Sequence, residues 1–153
     1  MTTFKKVNRF ANRGATAEKA AQKFMEAWAK DHPTREANRL VDAKAAGRII
    51  KAAAADFEFF SLPGHGLIEV KETEHEYRLA RDKVPQLARL RRRAKCGGIC
   101  VVAVLHSPTG QWRVLDAAVM AVTGDKGSWD LRGTPYFASI GEALGSFCPA
   151  VFL

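Results

Sequence analysis

The sequence predicts an α/β sandwich, with helices packed on a mixed β-sheet, and three observations carry that expectation. Apolar residues recur at three- and four-residue steps over residues 16–30, the spacing of one helix face. Two short alternating segments flank the turn chemistry Ser61-Leu62-Pro63-Gly64-His65-Gly66, which reads as a hairpin. Residues 99–105 form the most apolar run in the chain and read as a buried strand.

The elements follow in order. In the first helix the recurring residues are Ala17, Ala20, Ala21, Phe24, Ala27 and Trp28, with Thr16 as the expected N-cap after Gly14. His32-Pro33 ends it. The alanine-rich stretch 43–55 reads as a helix broken near Gly47. Residues 56–60 and 67–71 are the hairpin strands. Residues 78–95 read as mostly helical, with Pro85 marking where the continuous helix begins and Gly97-Gly98 stopping it. After the buried strand, Ser107-Pro108-Thr109-Gly110 turns the chain into a further strand over 111–115. Residues 117–135 carry no assignable motif and read as a loop-rich connection. Ser139 caps a last helix ending near residue 147, with Glu142 placed for a capping box. The order is α-β-β-α-β-β-α, in one domain spanning 1–153.

Composition narrows the function. The chain has 153 residues, 24 of them basic and 16 acidic, for a net charge of +8. That balance favours a polyanionic partner, nucleic acid or an anionic surface. The longest apolar run is far below the roughly 20 residues of a membrane span, and no apolar segment follows the N-terminal lysines as a signal peptide requires. Cys96, Cys100 and Cys148 make no CxxC-type pair, so reduced thiols and a cytoplasmic location are expected, without a membrane.

One constellation points to chemistry. Asp56 opens the first hairpin strand, and Glu69-Val70-Lys71 lies on its partner. Side chains alternate along a strand, so Glu69 and Lys71 share a face, and hairpin pairing brings Asp56 beside them. Two converging carboxylates repel unless a cation neutralises them, and an all-oxygen donor set suits Mg²⁺, with Mn²⁺ as an alternative. Such a metal with an adjacent lysine suits phosphodiester hydrolysis. The opposing reading is three solvent-facing charges on a hairpin, since this spacing also arises by chance.

The residues from Asp56 to Glu69-Val70-Lys71-Glu72-Thr73 resemble the signature of the PD-(D/E)XK nucleases. The wider context is similar to the RecU-type Holliday-junction resolvases: Asn12-Arg13-Gly14 followed by an acidic helix residue, Glu18; Gln86 on the helix after the catalytic strand; and Gly98-Ile99-Cys100 on the next strand. The resemblance spans residues 8–116. Ala55 stands where the signature has proline, and the stretch between Pro33 and Asp56 is shorter than the family's stalk.

The resemblance implies a restriction-endonuclease-like fold and a metal-dependent endonuclease that resolves four-way (Holliday) junctions. Asp56, Glu69 and the Val70 carbonyl would hold the metal, Glu18 would complete the site, Lys71 would position the attacking water, and Gln86 would lie near it. Arg9, Arg13, Arg78, Arg81, Arg89, Arg91, Arg92 and Arg93 are the expected DNA contacts, with Lys83 and Lys95 in the same basic run. Paired cuts call for a two-fold homodimer, with residues 147–153 and 43–55 as its candidate surfaces, and a shortened member of the family suits a phage. Two alternatives stay open: a nuclease of the same fold acting on other branched or duplex DNA, and a non-catalytic basic nucleic-acid-binding protein. His65 and His75 read as surface residues, and Trp28, Trp112 and Trp129 as packing residues.

Overall fold

In the computed structural model, which describes residues 13–40, 53–121 and 127–153 with side chains from residue 16, helix α1 (Arg13–Lys30) leads into a five-stranded sheet. The strands of that sheet are β1 (Glu36–Arg39), β2 (Phe57–Phe60), β3 (His65–Thr73), β5 (Ile99–His106) and β6 (Gln111–Asp116), side by side in that order. Only the β3–β5 pair is parallel, so the sheet is mixed, as expected. A second, two-stranded sheet pairs β4 (Arg78–Ala80) with β7 (Ser128–Asp130). Helices α2 (Leu87–Lys95), α3 (Ile140–Phe147) and α4 (Pro149–Phe152) complete the architecture.

Each face of the sheet has its own core. On one face α1, α3 and α4 cover Ile68, Val70, Val101, Ala103 and Val114, and Trp28, Phe59 and Phe152 pack ring against ring. The buried stripe of α1 is Ala17, Ala21, Met25 and Trp28, whereas Ala20 and Ala27 are exposed. The other face packs Leu67, Val102 and Val104 against Leu87 and Leu90 of α2, with Leu79 of β4 and Leu131 just after β7. Gly66 allows the close start of β3 against β5: a Cβ there would stand 1.7 Å from the Ile99 carbonyl oxygen.

Several expectations are corrected. Helix α1 is already formed at Arg13, so Gly14 and Thr16 lie inside it and Thr16 is not its cap. Of the basic segment read as mostly helical, only the part after Pro85 is α-helix. Residues 78–80 are strand, Arg81–Lys83 is a single 3₁₀ turn, and the α-helix begins at Leu87, after Pro85. Its end is as expected: Gly97 adopts φ +88, its amide bonds the Ala94 carbonyl, and the Gly98 amide bonds that of Arg93, a Schellman closure. Ser139 caps α3 by accepting the Glu142 amide, while the Glu142 carboxylate takes the Ala138 amide.

Strand β1 was not foreseen. Glu-Ala-Asn-Arg lacks β-branched and aromatic residues, and as an edge strand it buries little. Strand β7 falls in the stretch read as loop. Of residues 147–153, Val151 and Phe152 are buried in the core, whereas Phe147 and Leu153 are exposed. The helix expected over 43–55 lies outside the described residues as far as residue 52, and residues 53–55 are not helical. Among the described residues no helix is long and apolar enough to cross a membrane.

Candidate active site

The site forms where the sheet splits. Strand β2 begins at Phe57, opposite Ile68, so Asp56 stands just beyond the end of the β2–β3 ladder while β3 continues through Glu69, Val70 and Lys71. The backbone of Asp56 turns to β1, its carbonyl accepting the Leu40 amide at 2.8 Å. Its side chain fills the gap instead, Oδ2 accepting the Val70 amide at 2.7 Å. The amide and carbonyl of one strand residue leave on the same side, so the Val70 carbonyl also borders this opening.

Glu69 and Lys71 share a face of β3, as their spacing requires. Glu69 is 1% exposed. Its Oε1 lies 2.6 Å from Lys71 Nζ, and its buried Oε2 has no hydrogen-bond partner. Burial is the main cause that lifts the Glu69 carboxyl from about 4.5 to about 7, with the Asp56 charge adding to it and Lys71 opposing it. Asp56 is raised for the same leading reason, held back by the Val70 amide and Lys71. Burying a carboxylate with a free oxygen beside a second carboxylate is costly. The arrangement fits a divalent cation, which would satisfy Glu69 Oε2 and relieve the repulsion.

Glu18 reaches this region from α1, its charge acting on both carboxyls. It is engaged, however, by Arg39 of β1, whose Nη2 lies 2.9 Å from Glu18 Oε2 and whose Nη1 donates to Gln22 at 3.1 Å. Among the described residues no three His, Cys, Asp or Glu side chains gather as a ready metal cluster. The nearest donor set is therefore Asp56, Glu69 and the Val70 carbonyl. Arg39 is the member that sequence reasoning missed, because its strand carries no β signature. Gln86 sits at the N-cap of α2 with its Oε1 buried and unpartnered, and it makes no hydrogen bond to either carboxyl.

The basic run divides. Arg89, Arg92 and Arg93 line an open pocket on α2 with Ala54, Leu67 and Cys96. Leu67 shares the Glu69 face of β3, so this arginine group stands on the side of the sheet that carries the carboxylate. Arg91 turns inward and donates to the Met120 carbonyl, and Arg81 lies over the Trp129 ring. Arg78 belongs to the β4–β7 ribbon. Arg9 and the side chain of Arg13 lie outside the described residues. Trp28 and Trp112 are buried and Trp129 half-buried; His75 is exposed and His65 half-buried.

A solved structure, that of the Holliday junction resolvase Hjc from the hyperthermophilic archaeon Archaeoglobus fulgidus, superposes on this chain with a TM-score of 0.53. It covers 85% of this chain and 97% of that one, at 19% identity. The two share a fold. The α/β sheet with flanking helices expected from the sequence is thus also the architecture of a known junction resolvase. No family model and no curated protein matches the sequence.

Proposed function

We propose that this chain is a metal-dependent, structure-selective endodeoxyribonuclease that cuts four-way DNA junctions by paired phosphodiester hydrolysis. The observation that carries this reading is the buried Glu69, with one oxygen on Lys71 and the other unpartnered, facing Asp56 across the split between β2 and β3. The shared fold with an archaeal junction resolvase supports the choice of substrate, and the RecU-like run from Asn12 to Cys100 supports the branch of the superfamily.

Asp56, Glu69 and the Val70 carbonyl would hold Mg²⁺, or Mn²⁺, and the ion would polarise the phosphoryl oxygen and lower the pKa of the attacking water. The chain's own groups do the positioning. Asp56 spends one oxygen on the Val70 amide, which holds the carboxylate in place and leaves the other oxygen for the metal. Lys71 Nζ, partly exposed and held by Glu69, orients the water and offsets the negative charge that grows on the phosphate. As water adds to phosphorus it gives up a proton to solvent, the bond to the leaving sugar oxygen breaks, and that oxygen takes a proton from solvent. Arg89, Arg92 and Arg93, which line one open pocket, would contact phosphates of an arm, and the net charge of +8 would draw DNA to them.

Paired cuts on opposing strands call for a homodimer with one site per subunit. The cytoplasm is the proposed location, in keeping with three free cysteines.

The test is cleavage of a labelled immobile junction beside a linear duplex of the same arm sequence, with Mg²⁺, with EDTA, and with Glu69→Ala protein. Paired nicks near the branch, lost in EDTA and in the variant, are expected. Equal cutting of the linear duplex would replace the junction with duplex DNA as substrate. Tight binding without cutting under either metal would refute the catalytic reading and leave a basic DNA-binding protein.

A further inference from the structure

Beyond the carboxylate site, the β4–β7 ribbon carries a group of residues that neither the proposed reaction nor the core requires. Tyr77, just before β4, is 46% exposed. Its main chain is pinned, the carbonyl accepting the Leu131 amide at 2.8 Å. Beneath it lies Arg113, only 4% exposed, whose guanidinium stacks 3.7 Å from the Tyr136 ring centre, stands 5.9 Å from that of Tyr77 and donates to the Leu131 carbonyl. A buried cation on the inner side of an aromatic ring leaves its outer face open to a planar partner.

Two more guanidiniums flank that face. Arg78 and Arg132 line an open pocket of about 350 Å³ with Tyr77, Ser128 and Asp130. Arg132 is 72% exposed and is braced by Asp130, with Nη2–Oδ2 at 2.7 Å and Nε–Oδ1 at 3.1 Å. Arg78, Arg132 and Asp130 in the lining sum to a positive charge; the Glu76 carboxylate on the Tyr77 hydroxyl opposes it, and Arg113 beneath the ring restores it. The Tyr77 hydroxyl is engaged by the neighbouring Glu76 carboxylate, so the pocket offers a nucleotide an aromatic face to stack a base and guanidiniums to bind a phosphate.

The ribbon is tied to the catalytic strand. Thr73, on the same face of β3 as Glu69 and Lys71, donates its hydroxyl to the Arg78 carbonyl at 3.2 Å. Glu69 and Thr73 are four steps apart along β3, about 13 Å, which corresponds to about four nucleotide steps along a duplex strand. We propose that the β4–β7 ribbon is a second DNA subsite, in which a base a few nucleotides from the cut stacks on Tyr77 while Arg78 and Arg132 hold its phosphate. This assignment rests on the nuclease reading and names where the substrate is gripped away from the reacting bond.

The test is fluorescence anisotropy of a labelled duplex bearing a single-stranded arm, in EDTA so that nothing is cut, over a range of salt. Tyr77→Ala is expected to weaken binding about fivefold or more and Tyr77→Phe to leave it unchanged. The pair Asp130→Asn/Arg132→Gln keeps the net charge of the chain. It should nevertheless weaken binding and lower the slope of log affinity against log salt by about 1, whereas bulk electrostatics alone would leave both unchanged. Thermal melts of each variant show whether the fold is retained, and Tyr77→Phe supplies the ring without the hydroxyl. Wild-type affinity in both Tyr77→Ala and the charge-neutral pair would overturn the subsite. Wild-type protein that binds this probe but cuts no branched DNA with Mg²⁺ or Mn²⁺ would refute the nuclease reading, leaving the variants to decide the subsite. No binding of the probe by wild-type protein would overturn both.

Discussion

Replacing Glu69 by glutamine separates what the residue does for reaction from what it does to stability. The carboxyl titrates near 7 in the folded chain against about 4.5 in its ordinary setting. Between these values the unfolded chain has released a proton that the folded chain still holds, so metal-free stability falls as pH rises from about 4.5 to about 7 and stays reduced above. A shift of this size corresponds to ~3 kcal/mol at about 1.4 kcal/mol per unit. Glutamine keeps the shape and removes the charge. Lys71 then loses its partner, a loss already contained in the value near 7, which Lys71 holds down. In EDTA at pH 8, Glu69→Gln should therefore melt roughly 6–12 °C above wild type, since 1 kcal/mol moves a chain of this size by about 2–4 °C. At pH 4 the difference should vanish. The assay is calorimetry at both pH values, with and without Mg²⁺. Added Mg²⁺ should raise the wild-type melting temperature and leave the variant unmoved. A variant less stable than wild type at pH 8, or an advantage of equal size at pH 4, would refute the argument that a repelled, buried carboxylate occupies this site.

Three further outcomes are expected. Mg²⁺ binding, followed by titration calorimetry, should weaken about tenfold per pH unit below 7, because protons compete for Glu69, and should level off above it. Lys71→Ala should lower the cleavage rate by about 10²–10⁴ with little change in DNA affinity in EDTA. Because Lys71 holds the Glu69 value down, its removal should also shift the acid limb of the pH–rate profile upward. Gly66→Ala should cost several kcal/mol in urea unfolding, on the order of the larger core disruptions, since its Cβ would overlap the Ile99 carbonyl and part β3 from β5.

The parts of this molecule that were legible in the sequence are those whose side chains are decided locally. Ile99–His106 is apolar on both faces and could only be an interior strand, and Gly97-Gly98 closes α2 by the bonds its backbone freedom permits. Glu69 and Lys71 share a face by the two-residue period alone, and Asp56 joins them through the hairpin register. What escaped is decided at long range. Strand β1 exists because Phe57–Phe60 offers it an edge, and Arg39 faces Glu18 only across that edge. The ribbon unites residues some fifty positions apart, Arg78 with Asp130, in segments read as helix and loop. In the basic run Pro85 marked the break, and the helix does begin just after it at Leu87, but Arg78–Ala80 was read as helical because its strand is set by a partner some fifty residues away.

The incomplete zipper between β2 and β3 has an evolutionary consequence. Asp56 supplies with a side chain the bond that a neighbouring strand would otherwise give to the Val70 amide. Substitutions that favour extended backbone at Ala54 and Ala55 would tempt β2 to run on alongside Val70, displacing that carboxylate and closing the opening. The resulting sheet would be longer and sturdier, and chemically silent. Selection for stability alone would therefore erode the proposed site from its middle, beginning at the small residues ahead of Asp56.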